Sequence, residues 1–456
     1  MPGVTRAVSA FATRPRGDAP AAANGDAVAT AVLDTVGVAI AGQRTDGPRI
    51  AGEWVASVSP PGEVPVWGSG ARVSAPDAAL LNGTAAHALD WDDVSPAMPI
   101  HPSAVLVPAL LAQASLTDVA GGALVHAYNV GAAVFRAVSE ALPVNASVRR
   151  GWHNTATSGR IAAVAALASL TGATADATAH ALGLAASMSG GSVSNFGTMT
   201  KPLHAGLAAR DALTALGLAT RGFTSNPRQL EDPAGFFAMH GEPDPARLAV
   251  LAERLDHWER NWPRDWSLKR HPCCYGTHHA ADAALELRGS FDTGDVRAID
   301  VSIYEPDAGI LTKGKPVTGL EAKFSLEYVV AAALVRGELT LPDFEAKALA
   351  DPAVDALMDK VRWTGDPAEP ARYADLRVTL TDGRELRVRT DITRGDARDP
   401  MTADEVRGKF VSACSSAGWS RTRAARAADE LTAVASSGTA GLGAVLADPG
   451  PQEGNR

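Results

Sequence analysis

The feature that most constrains this chain is a series of alanine- and leucine-rich segments between residues 26 and 221. In the first segment Val28, Val32, Val36 and Ile40 recur at the spacing of one helix face. Comparable segments occupy residues 77–89, 102–114, 121–142, 159–170, 176–188 and 205–221. Alanine favours the helix and lets neighbouring helices pack closely, and no strand pattern interrupts the series. The pattern predicts a tightly packed all-α body up to about residue 266.

The hydrophobic periodicity changes near residue 296. Residues 299–303 alternate between apolar and polar, as in a strand, and the two runs that flank Asp382-Gly383 alternate likewise. Asp-Gly between alternating runs is a strong hairpin signal. Because helical segments are interspersed, residues 269–395 are predicted to form a small α+β domain. We expect it to be inserted into a large all-α domain of residues 1–268 and 396–456, which gives a mostly α fold.

Composition argues against several classes of partner. The 456 residues include 42 Lys and Arg against 51 Asp and Glu, so the basic excess typical of nucleic-acid binders is missing. We find no run near the ~18 apolar residues of a membrane span. Three cysteines, two of them adjacent, give no disulfide framework, and the first 25 residues lack a secretory apolar core. We expect a cytoplasmic protein with a frayed leader and no nucleic-acid or membrane partner.

Five polar clusters lie beside apolar helix sequence. They are NGTAAHALDWDD (82–93), HPS (101–103), GWHN (151–154), SMSGGSVSNFGTMTK (187–201) and KRHPCCYGTHH (269–279). His101 and His153 stand just ahead of predicted helices, where free backbone amides can share an anion. Lys201 follows a flexible loop, as a carboxylate or phosphate clamp would. Each cluster also has an ordinary structural explanation, such as solvated acids at a helix end or a mobile surface loop.

The last cluster combines Cys273, Cys274, His278 and His279, which are possible zinc ligands. Zinc sites usually separate paired ligands by several residues so that the chain can turn around the metal. Adjacent pairs do not fit this spacing, so we predict no metal site. Nothing marks either thiol as a nucleophile, and His278 at a helix start is the better chemical candidate. Imidazoles, acids and a lysine together suit proton abstraction next to a carboxylate.

The five clusters, in this order, resemble the MmgE/PrpD family, which includes 2-methylcitrate dehydratase, cis-aconitate decarboxylase and iminodisuccinate epimerase. The resemblance covers about residues 26–410. It rests on NGTAAHALDWDD (82–93), HPSAVLVPALLA (101–112), GWHNTATSGRIAAVAALASLTG (151–172), FGTMTKPLHAGLAARDAL (196–213), HPCCYGTHHAADA (271–283) and KFSLEYVVAAALVRGEL (323–339). It implies a large all-α domain, a smaller α+β lid, an active site in the cleft between them and a homodimer. It also implies that neither a metal nor an organic cofactor takes part.

The resemblance assigns roles to six residues, which are Asp90, His101, His153, Lys201, His278 and Tyr328. Lys201, His101 and His278 would bind the carboxylates of a small substrate. His153, tuned by Asp90, would move the proton at carbon. Tyr328 would donate to a carboxylate or to a leaving hydroxyl. The chain departs from the cis-aconitate decarboxylases at Val94, where they have Thr, and from the dehydratases at Ile100, where they have Gly.

Three functions are compatible with these residues. The favoured one is a cofactor-independent lyase, a dehydratase or a decarboxylase, that abstracts a proton from a small di- or tricarboxylate. The second is an epimerase or isomerase of a dicarboxylate such as iminodisuccinate, which forms the same carbanion and reprotonates it on the other face. The third is a carboxylate-binding relative without catalysis. Sequence cannot choose between the first two, because both reactions begin in the same way.

Overall fold

The structure is a computed structural model, and it describes residues 3–15, 24–142, 146–241, 244–311 and 313–447. The predicted mostly α fold is confirmed. The helices of the first part of the chain are α1 (Val4–Ala12), α2 (Gly25–Gly42), α3 (Asp46–Val58), α4 (Ala75–Ala88), α5 (Ser103–Ala114), α6 (Gly121–Ala141), α7 (Ala146–Arg149), α8 (Asn154–Thr171), α9 (Ala175–Met188), α10 (Thr200–Ala219), α11 (Phe236–His240), α12 (Pro245–Ala249) and α13 (Leu251–Asn261). All of them except α7 contribute to the larger of the hydrophobic cores, and together they are called the helical body below.

Two glycines let α4 and α10 cross with their backbones in contact. A Cβ on Gly83 would lie 2.8 Å from the Cα of Gly206, and a Cβ on Gly206 would lie 2.1 Å from the carbonyl oxygen of Leu80. Real Cβ atoms do not approach so closely, so both positions require glycine. The crossing sets the end of α4 beside the start of α10, and these are the two places that hold Asp90 and Lys201.

Two expectations about the first part of the chain were wrong. Helix α1 packs into the larger core through Val8 and Phe11, so residues 4–12 are not frayed; residues 16–23 lie outside the described residues. A two-residue antiparallel pair, β1 (Val64–Pro65) and β2 (Arg72–Val73), interrupts the helices. Among the described residues one helix, α2, is long and apolar enough to cross a membrane by length and composition, and 78% of it is buried.

Residues 271–395, called the sheet region below, contain a four-stranded sheet. Its strands are β3 (Val296–Tyr304), β4 (Val361–Asp366), β5 (Ala374–Leu380) and β6 (Glu385–Thr390), in the order β4-β3-β5-β6. Strand β3 is parallel to β4 and antiparallel to β5, and β5 and β6 form the hairpin predicted around Asp-Gly. The helices are α14 (His278–Leu287), α15 (Glu305–Ala308), α16 (Gly319–Ala322), α17 (Leu326–Arg336), α18 (Ala346–Leu349) and α19 (Pro352–Met358). This region has a hydrophobic core of its own.

The C-terminal helices pack against the helical body. They are α20 (Ala403–Ser416), α21 (Arg421–Thr432), α22 (Val434–Ser437) and α23 (Leu442–Ala447). The predicted capping box is present, since Thr402 and Glu405 exchange hydrogen bonds at the start of α20. Lys409 on α20 pairs with buried Asp34 on α2 at 2.7 Å and donates to the carbonyl of Trp91 at 2.8 Å. The returning helix thereby holds the acidic turn that follows α4.

Candidate active site

A small cavity of about 50 Å³ lies where the helical body meets the sheet region. Four of the six predicted residues line it, and they come from separate parts of the helical body. They are Asp90 after α4, His101 before α5, His153 before α8 and Lys201 on α10. The other lining residues are Val94, Pro99, Phe196, Lys269, Cys274, Tyr275, Gly276, Asp307, Ile310, Phe324 and Arg372. The fold therefore assembles residues that are far apart in the sequence.

Asp90 holds two buried lysines at the cavity wall. Its Oδ1 lies 2.5 Å from Nζ of Lys201 and 3.0 Å from Nζ of Lys269, which also donates to the Asp90 carbonyl at 2.9 Å. Burial alone would raise the pKa of Asp90, but the two ammonium groups hold it well below its ordinary value. With φ at +52°, Asp90 occupies the left-handed region, which is unusual away from glycine. Because two lysine ammonium groups face one carboxylate, one positive charge is not neutralised and can attract an anionic ligand.

Asp92, two residues further on, contacts imidazoles instead. Its Oδ2 lies 2.7 Å from Nδ1 of His87 and 3.2 Å from Nδ1 of His101, which also lies 2.8 Å from the carbonyl oxygen of Asp93. Two oxygen acceptors fix the proton of His101 on Nδ1, so Nε2 is the nitrogen available to a ligand. Burial lowers the pKa of His101, and Asp92 opposes this by favouring the imidazolium. His101 and Asp92 thus form an acid–base pair at the cavity.

Asp93 fixes the chain around His101. It accepts hydrogen bonds from the backbone amide of Ser103 at 3.1 Å, from the Ser103 hydroxyl, and from Nε1 of Trp266 at 2.6 Å. Burial raises the pKa of Asp93, which these donors oppose. The Thr155 hydroxyl accepts from the backbone amide of His101 at 3.1 Å. The three aspartates of this turn thus have three different roles. Asp90 holds lysines, Asp92 orients imidazoles and Asp93 anchors the start of α5.

His153 is not paired with Asp90, contrary to the predicted tuning. Its Nδ1 lies 3.1 Å from Nδ1 of His204, and its ring stacks on His87 with centroids 5.7 Å apart and meets Phe196 edge-on at 5.0 Å. Burial, followed by the nearby imidazoles and Lys201, lowers the pKa of His153 well below its ordinary value. Asp90 is engaged by lysines, so His153 stands at the cavity as a neutral imidazole held by another imidazole.

The structure does not bring His278 and Tyr328 to the cavity. His278 begins α14, is fully buried and lies with Nε2 3.3 Å from the carbonyl oxygen of Cys273. Tyr328 packs in the core of the sheet region, where its hydroxyl donates to the carbonyl of Asp343 and accepts from Arg336 at 3.2 Å. The Tyr328 hydroxyl and Nε2 of His278 are thus engaged within the sheet region, whereas the buried Nδ1 of His278 has no hydrogen-bond partner among the described residues. The carboxylate-binding and donor roles expected of them have no support from these positions.

Sequence reasoning missed Lys269 and Arg372. Lys269 begins the fifth polar cluster, and its position beside the histidines was the available signal. Arg372 lies in an irregular segment between β4 and β5 that carries no motif. Cys274 also lines the cavity, but burial raises its thiol pKa to about 11, so it is protonated at neutral pH.

His87, Asp92 and His101 place one ligand atom each within 4.8 Å of one another, so this group could hold a metal ion. The same distances also fit two imidazole N–H groups that donate hydrogen bonds to one oxygen of Asp92. A hydrogen-bonded group of this kind needs no metal ion. Of the described residues, only these three form such a group, and the adjacent Cys and His residues near 273–279 do not. The arrangement is therefore compatible with acid–base chemistry or with a metal.

The buried imidazoles should make the protein sensitive to acid. Burial lowers the pKa of His87 from 6.5 to about 4, although Asp92 opposes the shift. Between these two pKa values the imidazole of His87 binds a proton in the unfolded chain but not in the folded protein. The free energy of unfolding therefore decreases as the pH falls from neutrality. For His87 alone the loss is roughly 3 kcal/mol. Urea unfolding at a series of pH values from 7 to 4 measures it.

The matched variants are His87→Asn, whose amide can still donate to Asp92, and His257→Asn at an exposed histidine. We expect His87→Asn to reduce the pH dependence of the unfolding free energy and His257→Asn to leave it unchanged. An identical pH dependence in both variants would show that His87 is not excluded from protonation in the folded state.

Comparison with known proteins adds an independent line of evidence. Residues 6–249 match the MmgE/PrpD N-terminal domain, and residues 271–433 match the MmgE/PrpD C-terminal domain. Cis-aconitate decarboxylase of Homo sapiens is 31% identical over 400 residues, which are 83% of this chain and 81% of that protein. The Mus musculus enzyme of the same name is 29% identical over 395 residues, 83% of this chain and 80% of that enzyme. A 2-methylcitrate dehydratase of Cupriavidus necator is 30% identical over 131 residues, 25% of this chain and 27% of the dehydratase. With both domains matched in chain order, the protein belongs to the MmgE/PrpD family.

Proposed function

We propose that the protein is a lyase that decarboxylates a small unsaturated tricarboxylate of the cis-aconitate type. The observation that carries the proposal is the cavity itself, in which two lysines held by Asp90 stand with the imidazoles of His101 and His153. Relatives aligned over about four fifths of the chain are named as cis-aconitate decarboxylases, whereas the dehydratase match covers a quarter. Decarboxylation is therefore preferred to dehydration.

The reaction needs a cation and an acid at neighbouring positions. The bond between the methylene carbon of cis-aconitate and its carboxylate breaks and releases carbon dioxide. Its electron pair forms a new double bond to the methylene carbon. The electrons of the old double bond take a proton at the carbon that carries another carboxylate, which gives itaconate. Negative charge develops on that carboxylate before the proton arrives, and a nearby cation stabilises it.

The cavity residues can be assigned to these steps. Lys201 and Lys269 would bind the carboxylate on which the charge develops. His101 would deliver the proton from Nε2: burial lowers its pKa, but Asp92 favours the imidazolium form and a bound polyanion would raise the pKa again. His153 would be the second imidazole at the reacting carbons. These residues supply acid and cation by themselves, so we propose that neither a metal nor an organic cofactor is required.

A second candidate reaction is epimerisation of a dicarboxylate. It requires two proton carriers at one carbon, and two imidazoles, His101 and His153, line the same cavity. Both rings lie near His87, with centroids 4.6 Å and 5.7 Å from it. Dehydration of a 2-hydroxy tricarboxylate would use the same residues, with one imidazole as base and the other as acid.

The test is proton NMR in deuterated buffer of the EDTA-treated protein with cis-aconitate, 2-methylcitrate, citrate, iminodisuccinate and tartrates. New methylene alkene signals from cis-aconitate would support decarboxylation, and new alkene signals from a hydroxy acid would support dehydration. Deuterium exchange without elimination would support epimerisation. Binding without any conversion would support a non-catalytic relative, and activity restored only by added metal would contradict the metal-free mechanism.

We also propose that the sheet region acts as a lid. The cavity of about 50 Å³ holds only a few water molecules, less than a tricarboxylate occupies. Because its wall combines residues of the helical body and of the sheet region, separation of the two would admit substrate.

A homodimer is proposed as well, and Ile50, Trp54 and Val58, exposed at four-residue spacing along α3, are suited to an interface. Light scattering measures the dimer directly.

A further inference from the structure

Sheet topology brings an arginine of the sheet region to the cavity wall. Strand β3 is parallel to β4 and antiparallel to β5. The C-terminal ends of β3 and β4 and the N-terminal end of β5 therefore lie at the same end of the sheet. Asp307 lies just after β3 and Arg372 just before β5. Nε and Nη2 of Arg372 each lie 2.8 Å from a carboxylate oxygen of Asp307. Nη1 donates to the carbonyl of Pro96, which belongs to the helical body.

Arg372 separates the cavity from a larger outer pocket of about 440 Å³. Both spaces are lined by Pro99, Tyr275, Asp307, Ile310 and Arg372, so a single layer of side chains stands between them. The guanidinium lies 5.9 Å from the ring centroid of Tyr275. Among the residues that line the cavity, it is the cation contributed by the sheet region, whereas Lys201 lies on α10 and Lys269 in the segment between α13 and the sheet region.

The guanidinium retains hydrogen-bonding capacity. Arginine has five N–H groups, two of them on each terminal nitrogen. Asp307 takes the Nε proton and one Nη2 proton, and the Pro96 carbonyl takes one Nη1 proton. The remaining N–H on each terminal nitrogen has no acceptor among the described residues. A carboxylate can accept from two such groups at once, a geometry that lysine cannot reproduce.

We propose that Arg372 binds a second carboxylate of the substrate, at the part of the cavity that the sheet region forms. The inference rests on the proposed function and restricts its substrate class: the substrate carries carboxylates at both ends of a short carbon chain. One end is held by Lys201 and Lys269, and the other by Arg372, which Asp307 keeps charged and oriented. Closure of the sheet region then depends on a ligand that reaches both groups.

The test compares the binding of glutarate and butyrate by isothermal titration calorimetry. Glutarate has the five-carbon chain and two terminal carboxylates of the cis-aconitate backbone, and butyrate lacks one of these carboxylates. We expect Arg372→Met to weaken glutarate binding by about ten- to a hundredfold and to leave butyrate binding unchanged. Arg372→Lys, which keeps the charge but not the paired N–H groups, should show a smaller loss. The control is Arg398→Met, because Arg398 pairs with Asp396 at 2.8 Å and lines only the outer pocket.

A purely structural role, joining the sheet region to Pro96, predicts a different result. Arg372→Met would then weaken glutarate and butyrate by the same factor, and this would overturn the inference. A preference for glutarate that survives in Arg372→Met overturns it as well, while the proposed function stands. A parent protein that binds neither compound contradicts the proposed function itself. If Arg372→Met does not fold, Arg372→Lys decides, since an unchanged glutarate affinity there contradicts paired donation.

Discussion

The Lys201→Met variant is expected to lose about 10²–10³-fold in kcat/KM on cis-aconitate and yet to unfold at nearly the same urea concentration as the parent. Asp90 is ionised and would still pair with Lys269 at 3.0 Å, so the substitution leaves a neutral buried pair and no isolated charge. The methionine side chain fills the space of the lysine stem. What disappears is the extra positive charge that a substrate carboxylate would meet.

The matched variant is Asp90→Asn, which leaves two buried ammonium groups side by side. We expect it to lower the free energy of unfolding by about 3–5 kcal/mol, because an uncompensated buried charge is costly. Asparagine accepts the positive φ of residue 90 readily, so backbone strain adds little. Urea unfolding and steady-state kinetics of both variants separate the effects. Equal destabilisation in the two, or full activity in Lys201→Met, would contradict the assignment of Lys201 to substrate binding.

The second large effect is expected at the His101–Asp92 pair. His101→Gln should lower kcat on cis-aconitate by about 10²–10⁴-fold, since it removes the proposed proton donor. Asp92→Asn should cause a loss of the same order, because the amide cannot stabilise an imidazolium on His101. The double variant should be hardly worse than either single one, as expected of residues that act as a unit.

His87→Asn provides the control for this pair. His87 contacts the same Asp92 oxygen at 2.7 Å but does not line the cavity, so its replacement should lower kcat far less than His101→Gln. Losses that multiply in the His101→Gln/Asp92→Asn variant would mean that the two residues act independently. A His101→Gln variant with parental kcat would assign the proton to another group, and His153 would be the next to test.

Much of the helical body could be predicted because its signal is local. Helical periodicity identified α2, α5, α6, α8 and α10, and the Asp-Gly turn identified the β5–β6 hairpin. Local evidence gave no membrane span at α2, a helix that is long and apolar enough for one by length and composition but is 78% buried. Nor could it find α1, which depends on packing against distant helices rather than on its own length.

The site was predictable only in part, because side-chain partners depend on tertiary placement. Asp90 and Asp92 are two residues apart on a turn, and sequence does not indicate that one contacts lysines and the other imidazoles. Tyr328 lies on a helix of the matched motif, but its hydroxyl finds an acceptor in Asp343 within its own region. Arg372 reaches the cavity through the strand order β4-β3-β5, which no local pattern encodes.

The most direct test of the central claim is the conversion of cis-aconitate by the EDTA-treated protein in deuterated buffer, with carbon dioxide and itaconate measured together. The account predicts equimolar carbon dioxide and itaconate, one deuteron in the methylene group next to a carboxylate, and a rate that EDTA does not change. The account would be contradicted if the protein bound glutarate but released no carbon dioxide from cis-aconitate. Turnover only after metal is added back would equally contradict it.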